Sequence, residues 1–130
     1  MNRKVHMVIG VFVSTLIAYW IDGTFYTDPW VTLPFILPWE THYFAFSTMV
    51  YAIIGGIIGS ILPDMIEPPD HYTHRGFFHS VSMMRFLLVA LIVSFLIAFY
   101  ETWVWSVFYV IVGYVMHLLA DGTTPMGLPG

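Results

Sequence analysis

The sequence predicts an all-α fold, a polytopic membrane protein built as a bundle of about four transmembrane helices. Three observations carry this. Apolar residues make up 58% of the 130 residues while charged residues make up 9%, against roughly 25% charged in an average soluble domain. The mean hydropathy is +0.80. The apolar residues also fall into four runs near the length that crosses a bilayer, about 17–25 residues for a helix. A soluble chain of this size could not cover so much apolar surface with so few charges. The length fits one transmembrane domain over residues 1–130.

The first run, 5–21, follows a basic start at Arg3 and Lys4. No small-residue cleavage site follows it, so it reads as a retained signal anchor rather than a cleaved leader. Next comes 22–42, which holds Pro29, Pro34 and Pro38 among many apolar residues. Each proline removes an amide donor, so this stretch cannot be one helix and reads as an interfacial or partly re-entrant loop. The second run, 43–62, contains Gly55, Gly56 and Gly59. Glycines four apart let transmembrane helices approach closely. A polar loop, 63–79, then carries three acids, three histidines and Arg75. The third run, 81–100, has Arg85 near one end, where the long side chain can reach the interface. Only Glu101 and its neighbours separate it from the fourth run, 102–120, which forces a tight helical hairpin.

Charge sets the expected orientation. With four spans, Arg3, Lys4, Arg75 and Arg85 share one side, which the positive-inside rule makes cytoplasmic. Trp20, Trp30, Trp39, Trp103 and Trp105 all fall at the opposite end, as an interfacial belt would. A cytoplasmic membrane protein with both termini inside is expected. The net charge of −4 gives no basic footprint, so no nucleic-acid partner is expected. The absence of cysteine excludes disulfides, thiolate zinc sites and cysteine nucleophiles.

The same topology gathers residues that the sequence scatters. His6, Asp64, His74, His79, His117 and Asp121 all belong to the inner rim. His117 and Asp121 lie four apart, on one face of a continuing helix. Imidazole and carboxylate suit zinc, manganese or iron. Four or five such ligands can hold one ion, or two ions sharing a carboxylate. An ionised Asp at the bilayer centre costs roughly 2.5–3.5 kcal/mol, so such residues are functional candidates, less so at span ends. Taken singly, each has a plainer role. His6 can sit at the interface beside Arg3, Asp64 can cap a turn, Ser80 can cap the third helix beside His79, and His117 can bond across the bundle. Glu67 and Asp70 read as solvated loop charges first and as candidate bases second. His71 reads as solvated, His42 as structural on the opposite face, and Arg75 as a phosphate contact or an ion-pair partner of Asp64.

The segments LPDMIEPPDHYTHRGFFHS (62–80) and GYVMHLLADGTTPMG (113–127), with the early His6, resemble the signature of the LexA-regulated, membrane-bound metal-dependent hydrolase family. That family is grouped with zinc-dependent phospholipase C and related nucleases. The order is an early His, LPD, HRG-x-x-HS, then H-x-x-x-D with a Thr-Pro-x-Gly turn, and it spans the chain. The resemblance implies that Asp64, His79, His117 and Asp121 ligate one metal, and that His6 ligates a second one bridged by Asp121. It implies catalytic roles for Asp121, Arg75 and His74, the last two beside the metal or on a phosphate. Relatives often carry a further carboxylate where this chain has Ile66, and Glu67 is the nearest substitute. The cofactor expected is one or two divalent ions, zinc first and manganese or iron next. The function expected is hydrolysis of a phosphoester in a lipid or membrane-associated substrate by metal-activated water. The rivals are a membrane protein with a structural metal site, which would have a closed coordination sphere, and a metal-ion transporter, which would need polar residues at mid-bilayer.

Overall fold

The structure, a computed structural model, describes residues 3–22, 41–68, 76–124 and 127–130, with the backbone alone for residues 3 and 41–47. Its helices are α1 (Arg3–Ile21), α2 (Thr41–Ile66), α3 (Val81–Ala98) and α4 (Val104–Gly122), with a 3₁₀ turn at Phe77–His79 ahead of α3. All four helices are long and apolar enough to span a membrane, and no strand occurs among the described residues.

The α3–α4 hairpin is as tight as expected. Glu101 N donates to Ile97 O at 3.0 Å and Val104 N to Glu101 O at 2.9 Å, so one helix turns directly into the next. At α2 the structure departs from the sequence reading. The helix does not stop before Pro63 but runs through it to Ile66. Pro63 gives up one backbone bond to Gly59. The ladder resumes at once, with Glu67 N donating to Pro63 O at 2.8 Å, and the ring is fully buried. Packing of neighbouring helices sustains such a proline in a membrane helix. Asp64 is therefore a helical residue with a fixed direction, not part of a loop.

Three helices bury rows of residues spaced by four. On α1 the row is His6, Gly10, Ser14 and Ala18. On α2 it is Ala52, Gly56, Ser60 and Asp64, and on α4 it is Tyr109, Gly113, His117 and Asp121. Residues four apart form one ridge of a helix, and here each ridge is small in the middle. A Cβ added at Gly10 would meet Gly56 O at 2.9 Å, and one added at Gly113 would meet the same oxygen at 2.7 Å. Gly56 is thus the point where α1, α2 and α4 converge. Gly59 is tighter still, since its Cβ would fall on the carbonyl oxygen of Val110. The glycine spacing read from the sequence does bring backbones into contact. It also delivers the polar end of each ridge to one place.

α3 lies outside this trio and packs mainly on α4. Its outward residues Phe86, Val89, Ile92 and Leu96 are exposed in the protein alone and face lipid in a bilayer. Phe95, Phe99, Trp105 and Phe108 join α3 to α4 at the hairpin end, with ring centroids 5.1–6.0 Å apart. Trp105 is fully buried there. It belongs to the core, and the belt expectation is corrected for it, because the α4 ridge that carries Tyr109 and His117 points inward. Trp20 and Trp103 are exposed, while positions 30 and 39 lie outside the described residues, as does most of the proline-containing link.

Candidate metal centre

The three ridges end together. His6 at the start of α1, Asp64 at the end of α2 and His117 and Asp121 at the end of α4 meet His79 from the 3₁₀ turn. All five are buried, from fully for His79 and His117 to 5% exposed for Asp64. Four of their donor atoms lie close together. His79 Nε2 and His117 Nε2 are 3.3 Å apart. Asp64 Oδ1 lies 3.5 Å from His79 Nε2 and 3.6 Å from His117 Nε2. Asp121 Oδ2 lies 3.8 Å and 3.3 Å from the same two nitrogens. A tetrahedral ion with ligands at about 2.0–2.1 Å has edges of about 3.3–3.4 Å between them. The five separations given, at 3.3–3.8 Å, lie near that edge length.

Their orientation points the same way. The Nδ1 of His117 sits 2.6 Å from Ser60 O, and a carbonyl only accepts, so Nδ1 carries the proton and the neutral ring turns an Nε2 lone pair to the centre. His79 does likewise through a carboxylate, with Nδ1 donating to Glu67 Oε2 at 2.8 Å. Metal-binding histidines are held by such outer partners. Burial alone would lower the His79 pKa. The hydrogen bonds to Asp64 and Glu67 and the charge of Asp121 outweigh it, and the group is raised above its usual value.

The remaining candidate stands to one side. His6 Nε2 is 3.5 Å from Asp121 Oδ1, and its ring stacks on His117 with centroids 4.0 Å apart. Asp121 thus turns one oxygen to His6 and the other to His79 and His117, the posture of a bridging carboxylate. Among the described residues, two groups suit an ion by distance, His6 with His117 and Asp121, and Asp64 with His79 and His117.

Glu67 needs a correction. Rather than a solvated loop charge, it is tied by one oxygen to His79 and accepts from Phe78 N at 3.2 Å with the other. The signal was its place three residues after Asp64, just past the end of a helix that runs through Pro63. Asp70, His71, His74 and Arg75 lie outside the described residues, and so does the His42 side chain.

Four spanning helices that gather a buried His/Asp cluster at one end define a polytopic helical membrane protein with a candidate metal centre. The chain belongs to the YdjM inner membrane protein family, which matches it over residues 1–129. No curated protein and no solved structure matches it. Family and fold together make it a multi-pass inner membrane protein that sits in the lipid bilayer.

Proposed function

We propose that this protein is a membrane-embedded metal-dependent hydrolase acting on a phosphoester of a lipid or membrane-associated substrate. The observation that carries the reading is the convergence of His79 Nε2 and His117 Nε2 on each other and on Asp64 Oδ1 and Asp121 Oδ2, at 3.3–3.8 Å. Zinc suits this nitrogen and carboxylate set, and manganese and iron are the alternatives. His6 with Asp121 Oδ1 offers the start of a place for a second ion. A divalent ion held there would activate water and polarise a phosphoryl or acyl oxygen. The chain's own residues do the rest. Ser60 O and Glu67 hold the imidazoles in the tautomer that leaves Nε2 free. Asp121 spans the two ligand groups. His74 and Arg75, within the same inner loop, are assigned to the phosphate, Arg75 through its planar fork.

The depth of the centre favours a lipid substrate. Met65, Phe77 and Leu119, close in sequence to the ligands, are 65%, 61% and 45% exposed. Apolar side chains exposed at that level belong in the bilayer, so the centre lies at headgroup height. Lys4 and Arg85 flank the same end, which is assigned to the cytoplasm. A metal-ion path across the membrane has less support. Among the described residues, the buried ridges between the centre and the far end hold Gly10, Ser14, Ala18, Ala52, Gly56, Ser60, Tyr109 and Gly113, with no ladder of histidines or carboxylates.

A second reading is favoured by a specific observation. Four protein ligands, all nearly buried, match a closed structural site, whereas catalytic zinc keeps a position for water. The two are separated by reconstituting the zinc- or manganese-loaded protein with phosphatidylethanolamine, phosphatidylglycerol and a lipid phosphomonoester. The hydrolase reading expects a water-soluble product that disappears in His117→Ala and with chelator. Retained metal with no product from any of these lipids would favour the structural centre.

A further inference from the structure

We propose that Glu67 is a positioning residue for the centre, setting the tautomer and place of His79, and that Tyr114 secures the same turn from the opposite helix. This rests on reading His79 as a metal ligand.

His79 is the ligand without a long helix of its own. The other four project from α1, α2 and α4, whose mutual positions are fixed by the glycine contacts. His79 instead closes a three-residue 3₁₀ turn, so something else must hold it. Glu67 does so with both oxygens. Oε2 accepts from His79 Nδ1–H at 2.8 Å, and Oε1 accepts from Phe78 N–H at 3.2 Å. From α4, Tyr114 Oη donates to Phe78 O at 3.1 Å. The main chain of Phe78 is thereby gripped at its donor by α2 and at its acceptor by α4. These helices also supply Asp64, His117 and Asp121, so the turn is indexed to the ligands it must meet. Ser80 completes the frame. Its hydroxyl donates to Phe77 O at 2.6 Å and accepts from Met83 N at 3.1 Å, which joins the turn to α3.

The arrangement favours orientation over a role as general base. Both Glu67 oxygens are engaged by donors within the fold, so its work is orientation. A glutamine would keep one acceptor for two donors. Its amide can also donate to Nδ1, which would move the imidazole proton to Nε2 and block the ligand atom.

Two measurements on detergent-solubilised full-length protein test this. The first is the ¹⁵N–¹H pattern of His79 in metal-free wild type, Glu67→Gln and Glu67→Ala. The second is Co²⁺ affinity and visible absorption of these variants and Tyr114→Phe. At a pH high enough to keep the imidazole neutral, wild type should show the Nδ1–H form, and both Glu67 variants should lose it. Co²⁺ binding should weaken by about 10- to 100-fold, the usual effect of removing an outer-shell partner, with an altered spectrum. Tyr114→Phe should weaken binding less and keep the tautomer. Far-ultraviolet circular dichroism matching wild type shows that the bundle is intact, and Glu67→Gln serves where Glu67→Ala fails to fold. A preserved Nδ1–H form, or wild-type Co²⁺ affinity in both Glu67 variants, overturns the proposal. A tautomer change in a protein whose wild type binds no Co²⁺ overturns the metal reading instead and leaves the Glu67–His79 coupling standing.

Discussion

Single side chains decide the centre, and each has a distinct expected phenotype. Asp64→Ala and His117→Ala remove candidate ligands whose atoms sit 3.3–3.6 Å from their neighbours. Each should lose bound metal on elemental analysis while still inserting into the membrane, because insertion follows from the apolar runs. Full metal content in both variants would refute the ligand assignment. At this scale the sequence was informative where topology and spacing acted together. His6, Asp64, His79, His117 and Asp121 were legible because four spans force their helix ends onto one rim. The H-x-x-x-D pair also lies on one helical face. Glu67 was misread because Pro63 looked like the end of a helix. In water that inference is sound, since a proline inside a helix costs about 3 kcal/mol or more. In this bundle α2 packs closely enough to carry it.

Helix packing explains why the ligands meet at all. The ridges of α1, α2 and α4 carry glycine one or two turns from each ligand, and the backbones touch there. Gly59→Ala should destabilise the bundle by about 1–3 kcal/mol, the usual cost of overpacking, because its new methyl has Val110 backbone in its place. Gly122→Ala is the contrasting case. Among the described residues its Cβ would meet only Leu128, at 3.7–3.8 Å, in a helical position where Ala is better than Gly by about 0.5–1 kcal/mol. Thermal unfolding in detergent should fall for the first and hold or rise for the second. A Gly59→Ala protein as stable as wild type would mean that α2 and α4 are not so close. The glycines were legible as a packing motif, but their partners were not. Only the three-dimensional crossing shows that Gly56 serves both α1 and α4. Trp105 shows the converse error, since position along the chain suggested a belt while the α4 ridge takes the ring inward.

The whole molecule is a bundle with one polar end, and its placement follows from where its charges fall. Helix number, spanning length and the tight hairpin were legible because the bilayer imposes length and periodicity strongly. Sidedness rests on few charges. The chain has no cysteine, so single cysteines can be introduced without background. Glu101→Cys in the α3–α4 link should react with a membrane-impermeant maleimide in cells whose outer membrane alone is permeabilised. Lys4→Cys should react only after the inner membrane is opened. The reverse pattern would put the centre on the outer side and remove the assignment to the cytoplasm.

The central claim is that the buried His/Asp cluster holds metal, and elemental analysis of the purified protein beside Asp121→Ala tests it most directly. Asp121 faces both ligand groups, so its loss should disturb either one ion or two. The account predicts near-stoichiometric zinc, manganese or iron in the wild type and a marked loss in the variant. A wild type without metal even after reconstitution, or a variant with undiminished content, would contradict it.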